Sequence, residues 1–234
     1  QRVIITDGIE NEQIPDVLAR VITQYKMAED FLPDYMGRLS GFSRNVMGIS
    51  LSYNQWGREE MQHSLGLGLI LVSTGHKTPE QLTEEYMKNL ERTWEVPFST
   101  MRMLVIYGAL QERNTALAYR AIKEKAHAEG APITAEILEL IEQDEAYHGG
   151  GYRSFERAYY DYDPQGTLYD VESVARNYRL PAQNLHPNPK QAVRDVIRVG
   201  AFSRELVVDE TIYKTLLGFG FVPKDLARDI ADNW

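Results

Sequence analysis

Apolar positions recur every three or four residues along most of this chain, the period of helices that each bury one face. A first stripe runs Leu18, Val21, Ile22, Tyr25, Glu29, Leu32 and Met36, and Pro33 inside it predicts a kink or locally loosened backbone bonds. A second runs Ile49, Tyr53, Trp56, Glu60, His63, Leu67 and Ile70. A third takes Met101, Val105, Gly108, Glu112, Thr115 and Tyr119, and a fourth Leu138, Ile141, Glu145, His148, Tyr152 and Phe155. Each suits a bundle helix of about 20 to 30 residues. A shorter helix begins at Thr78, with Pro79 at its first position and Gln81 completing a capping box, and the grammar recurs at Asn188-Pro189-Lys190-Gln191. Between them, Arg179 to Pro189 holds three prolines and two asparagines and reads as a loop. Val3 to Thr6 is the only strand candidate. The expectation is an all-α four-helix bundle with additional short helices. It forms a single domain over 1–234, with its bundle core at about 12–160 and accessory helices at about 165–234.

Composition narrows the function. Of 234 residues 43% are hydrophobic, enough for a core, and there is no cysteine, which removes disulfides, thiolate-bound metals and a cysteine nucleophile. A net charge of −9 argues against a general nucleic-acid binder. The longest apolar run, Leu65 to Thr74, is too short and too glycine-interrupted to cross a bilayer, and the first residues lack the apolar segment of a signal peptide. The chain therefore reads as a soluble, cytoplasmic protein with neither a nucleic-acid nor a membrane partner.

The chemistry lies on the stripes. Glu29, Glu60, Glu112 and Glu145 occupy core positions, and two of them open Glu-x-x-His segments, Glu60 to His63 and Glu145 to His148. Residues three apart share a helix face, so each pair can point at one centre. The order Glu, Glu-x-x-His, Glu, Glu-x-x-His suggests two similar helical hairpins related by a pseudo-twofold. A bundle interior does not tolerate four unpaired carboxylates. Two divalent cations cancel their charge, and hard oxygen ligands with a minority of imidazole suit iron or manganese better than copper. This is the ligand set of ferritin-like di-iron and di-manganese bundles.

Glu59 also shares a face with His63, but Glu60 continues the apolar stripe and is preferred as the ligand. Asp144, four residues before His148, is read as orienting a metal-bound imidazole through its outward nitrogen. His76, His127 and His186 read as ordinary surface residues, and Tyr159 to Tyr162 as a helix end covering the core. His148-Gly149-Gly150-Gly151 lacks the preceding strand and following lysine of a phosphate loop.

Four segments in order resemble the soluble acyl-acyl carrier protein desaturases of plants and bacteria: Ala28 to Tyr35 with its Leu-Pro-x-Tyr, Trp56 to His63, Gln111-Glu112-Arg113-Asn114-Thr115, and Asp144 to His148. The residues between Glu and His depart from the family, being Met61-Gln62 and Ala146-Tyr147 where it writes Asn-Arg and Lys-Arg. The resemblance implies two irons bridged by Glu60 and Glu145, with Glu29 and Glu112 as terminal ligands and His63 and His148 on one iron each. It implies that Thr115 sits beside the oxygen site, and that Trp56 and Asp144 lie around a ligand histidine on an electron route. The implied reaction removes two hydrogens from an acyl chain carried by acyl carrier protein. Dioxygen is the oxidant and a ferredoxin-type donor supplies electrons to a homodimer, bacterial rather than plastid. A di-iron monooxygenase on the same scaffold, a non-catalytic metal-storage protein and a di-manganese or mixed centre remain open alternatives.

Overall fold

The computed structural model describes residues 6–180 and 185–217. They are helical, without a strand; Val3 to Ile5, the rest of the strand candidate, lie outside them. A short 3-10 turn at Ile9–Asn11 precedes α1 (Asp16–Glu29) and α2 (Leu32–Ser43), followed by the long α3 (Met47–Ser73) and the short α4 (Pro79–Asn89). Then come α5 (Met101–Ala128), α6 (Pro132–Tyr162), α7 (Pro164–Arg176) and α8 (Pro189–Val199). A π-helical stretch at Leu206–Tyr213 runs into α9 (Lys214–Leu217). The described parts of the expected loop, Arg179–Leu180 and 185–188, hold no α-helix, while positions 181–184 and 218–234, the end of the accessory region, lie outside the described residues.

One expectation needs correcting. Pro33 does not kink a continuous helix. The helix stops at Glu29, turns through Asp30 and Phe31, and restarts at Leu32, so that Pro33 lies in the first turn of α2. Proline has no N–H to give the carbonyl four residues back and its ring crowds that carbonyl, whereas a first helical turn needs no such bond. Glu29 is thereby the last residue of α1.

The helix starts follow their sequence signals. Thr78 and Gln81 form the reciprocal capping box of α4, and the Asn188 side chain accepts from the Gln191 N–H at 3.3 Å. The hairpin between α5 and α6 closes on Gly130 at φ +77°, where the Ala131 N–H reaches back to the Ala126 carbonyl.

The three long helices and the shorter α1 form a ring, with α1 against α3, α3 against α6, α6 against α5 and α5 against α1. An all-α, ferritin-like bundle results, flanked by α7 on α5 and α6 and by α8 on α1. Two apolar clusters fill it. One gathers Phe31, Tyr53, Trp56, Leu110 and Tyr152; the other gathers Leu18, Ile22, Leu67, Ile122 and Leu138. The four glutamates and two histidines fall at the level between the clusters on α1, α3, α5 and α6. None of the described helices is long and apolar enough to cross a membrane.

Candidate metal centre

Helical spacing brings the six side chains to one layer. All are buried, none more than 8% exposed. Glu60 and Glu145 each face both histidines. From His63 Nδ1, Glu60 Oε2 lies at 3.3 Å and Glu145 Oε1 at 3.9 Å; from His148 Nδ1, Glu60 Oε1 lies at 3.1 Å and Glu145 Oε2 at 3.6 Å. Glu112 Oε2 stands 3.5 Å from His148 Nδ1. Two groups of possible ligand atoms result, Glu29, Glu60, His63 and Glu145 in one and Glu60, Glu112, Glu145 and His148 in the other, each within 4.8 Å. The two central glutamates belong to both.

The electrostatics fit a pair of cations. Burial, and then Glu60 and Glu145, raise Glu29 well above the usual carboxylate range; burial and Glu145 do the same to Glu112. Burial alone would raise Glu60, but His63 and His148 outweigh it and hold it low. Burial works against a charged His63 and Glu60 overcomes it; for His148 the facing carboxylates of Glu112, Glu145 and Glu60 do likewise, so both imidazoles retain protons more tightly than usual. Four carboxylates so close meet their charge with shared protons or with metal, and metal binding releases the protons. The Nδ1 atoms of both histidines, Glu60 Oε1 and Glu112 Oε2 are buried without a hydrogen-bond partner. Orphaned donor atoms aimed at one centre are what two divalent ions would satisfy. The cluster is compatible with a di-metal site.

Around it stand groups that meet four of the six. His148 Nε2 lies 2.7 Å from Glu59 Oε2, and the other Glu59 oxygen accepts from Gln55. His63 Nε2 lies 3.5 Å from Asp144 Oδ2. Asp144 thus backs the histidine of the opposite helix, not His148 four residues along its own, as the spacing had suggested. Consecutive residues on a helix point about 100° apart, so the acid before each glutamate is turned sideways, toward the neighbouring helix. Glu59, set aside on sequence grounds as a ligand, fills the same place for His148. The signal was present: both Glu-x-x-His segments are preceded by an acid, Glu59 and Asp144.

Trp56 is buried on α3, and its indole N–H donates to Glu112 Oε1 at 3.0 Å. The polar partner of Trp56 is thus a carboxylate, where the family likeness had placed it around a histidine. Tyr119 donates to Glu29 Oε1 at 2.7 Å. Sequence reading had assigned Tyr119 to the core only, and nothing local reveals a partner 90 residues away. Beside Glu29 lies a cavity of about 120 Å3, walled mainly by apolar atoms of Tyr25, Met27, Tyr35, Val193, Val196 and Phe202, and also lined by Thr115. The Thr115 hydroxyl donates within its own helix to the Gln111 and Glu112 carbonyls. His76 and His127 stand apart from the cluster at or beyond helix ends, and His186 lines the cavity wall. Gly149 to Gly151 are continuous α-helix, with no loop to cradle phosphate, and α6 ends at Tyr162 as expected.

Comparison with known proteins adds an independent line. The sequence profile described as fatty acid desaturase matches residues 8–213. A chloroplastic stearoyl-[acyl-carrier-protein] 9-desaturase 4 of Arabidopsis thaliana is 26% identical over an alignment covering 75% of this chain and 46% of the relative. A chloroplastic acyl-[acyl-carrier-protein] desaturase 4 of Oryza sativa subsp. japonica is 28% identical, covering 73% and 43%. The chain spans just under half the length of these relatives.

Proposed function

The chain belongs to the fatty acid desaturase family, and from that premise we propose that it is an oxygen-dependent di-iron desaturase acting on an acyl chain bound to a carrier protein. The observation that carries this reading is the pair of four-residue groups sharing Glu60 and Glu145, set against an apolar cavity at Glu29 and Thr115. In this reading Glu29, Glu60, His63 and Glu145 would hold one iron, and Glu60, Glu112, Glu145 and His148 would hold the other. Bound iron supplies the redox chemistry that activates dioxygen. The overall balance takes two hydrogens from adjacent carbons, adds two electrons from a ferredoxin-type donor and two protons, and reduces one dioxygen to two waters.

The chain's own residues prepare that chemistry. Glu59 holds the outward nitrogen of His148, and Asp144 faces that of His63 at ion-pair distance, an arrangement that favours both rings with Nδ1 turned inward. The Trp56 indole and the Tyr119 hydroxyl each hold one oxygen of Glu112 and Glu29, leaving the other oxygen for a metal. The Asp144 side chain is half exposed and reaches a buried imidazole, which supports a role in carrying electrons inward from a docked reductant. Apolar walls hold an acyl chain against the centre and exclude water from it. Thr115, in that wall one helical turn beyond Glu112, is suitably placed to hold or relay a proton beside the reacting carbons.

The deciding experiment is reconstitution with ferrous iron, followed by mass spectrometry of acyl-carrier products under oxygen with a ferredoxin-type reductant. Loss of two hydrogens is the expected result; gain of one oxygen identifies a monooxygenase instead. Metal analysis should return about two irons per chain, and His148→Ala should lose metal. A homodimer is part of the proposal. Met47, Leu51, Met61, Leu65 and Leu69 lie exposed along one side of α3, an apolar stripe that a second copy could cover. Light scattering should give twice the chain mass, falling to the single mass in Leu65→Glu.

A further inference from the structure

The cavity beside Glu29 has two kinds of wall. Helix α8, which packs on α1 and α5, contributes Ala192, Val193 and Val196, and Phe202 follows it; all are apolar. The α1 and α5 walls are different. Beside Glu29 and Thr115 they present Gln24, Tyr25, Gln111 and Asn114. An unsubstituted alkyl chain makes no hydrogen bond, so amides and a phenol around it would gain nothing from its presence.

These four side chains are uncommitted. Among the described residues, the side chains of Gln24, Tyr25 and Gln111 have no hydrogen-bond partner. Asn114 is the sharpest case, since it is only 1% exposed. Its side chain has one polar contact among the described residues, a long one of 3.5 Å between Oδ1 and the Thr211 hydroxyl. That hydroxyl carries a single proton and donates it at 2.9 Å to the Leu206 carbonyl. The Asn114 amide therefore keeps almost all of its hydrogen-bonding capacity at the edge of a cavity. Thr115, the next residue, contrasts with it, because its hydroxyl is spent on carbonyls of its own helix. A buried amide without a partner is costly, and a molecule that enters the cavity and pairs with it removes the cost.

We propose that the substrate is an oxygenated acyl chain, whose hydroxyl or oxo group hydrogen-bonds to Asn114, and that Asn114 is a specificity-determining residue. The inference rests on the reading that a carrier-bound acyl chain occupies this cavity. Apolar wall takes the methylenes, and a few polar groups set the register of the chain along it. Because Glu29 lines the same cavity, holding the oxygen fixes which carbons stand at the metal-facing layer. A plain chain covers the amide and leaves it unpaired, which weakens binding by about 5- to 150-fold.

The test is calorimetric binding of acyl-pantetheine thioesters of one chain length to the metal-loaded protein, with metal content measured alongside. One thioester is unsubstituted; the others carry a hydroxyl or an oxo group moved carbon by carbon along the chain. In the wild type, affinity should peak at one position, about 5- to 150-fold above the plain chain, and the hydroxyl and oxo arms tell which oxygen is preferred. Asn114→Leu, of similar volume, should bring that ratio to about one or below. The ratio is taken within each protein, so a general loss of folded material cancels, and the positional peak needs no variant at all. A plain chain bound as tightly as every oxygenated isomer overturns the proposal while leaving the acyl-chain reading intact, as does a ratio unchanged in Asn114→Leu. Failure of every thioester to bind overturns both. A peak that collapses in Asn114→Leu, in a protein that holds no iron, would support the proposal while refuting the di-iron reading.

Discussion

At the scale of single residues, the crossed pairing of acids and imidazoles makes a selective prediction. Glu59 backs His148, in the group with Glu112, while Asp144 backs His63, in the group with Glu29. Loss of such an outer partner costs about 10- to 100-fold in metal affinity. Glu59→Gln should therefore weaken one of two metal-binding steps and Asp144→Asn the other, as read by metal titration; equal weakening of both steps by either variant would contradict the pairing. Glu156 presents a different case. It is fully buried on α6, with neither carboxylate oxygen hydrogen-bonded among the described residues, and burial raises it well above its ordinary 4.5 despite Arg153. The folded chain then keeps a proton that the unfolded chain gives up, so its contribution to stability is whole below pH 4.5 and is lost as pH rises toward the folded value. Across that window the unfolding equilibrium shifts by up to about tenfold per pH unit. Glu156→Gln, which cannot ionise, should melt higher than wild type at neutral pH, with the difference vanishing in acid; equal pH profiles would show that Glu156 is ionised in the fold.

At the scale of elements, periodicity was the readable part. The stripes of α3, α5 and α6 appeared in sequence because positions three, four and seven apart align on a helix whatever it packs against. The end of α1 was less readable. A proline inside an apolar stripe is compatible with a kink or with a break, and packing of Phe31 and Tyr35 into one core cluster accompanies the break. Close approach between elements was not readable at all. Gly108 of α5 lies directly beneath the Tyr152 ring of α6, and a β-carbon there would fall well inside van der Waals contact. Tyr152 packs in turn on Tyr53, with ring centres 5.8 Å apart, so it has little room to retreat. Gly108→Ala should cost about 1 to 3 kcal/mol by overpacking, despite the better helix propensity of alanine, and denaturant unfolding measures it. A stabilised variant would mean the ring is free to move.

At the scale of the whole molecule, a layer of acids lies between two apolar clusters contributed by the same helices. Without cations that layer opposes the packing on either side of it. A ligand that binds only the folded state stabilises it by about 2.7 kcal/mol per site at a hundredfold excess over Kd. Ferrous iron should accordingly raise the melting temperature in proportion to occupancy, and a chelator should reverse the gain. A melting temperature indifferent to metal would remove the reason for placing these six side chains in a core.

The sequence by itself determined the all-helical character, the buried faces of α3, α5 and α6 and the identity of the six convergent side chains, because helical geometry is local and charged residues on an apolar stripe stand out without knowledge of partners. Tertiary structure decided the rest. Which acid supports which histidine, that Tyr119 and Trp56 hold Glu29 and Glu112, and that Asn114 lines the cavity beside Glu29 all depend on distances between helices far apart in the chain. Those distances come from how whole faces pack together, and no spacing within a single helix encodes them.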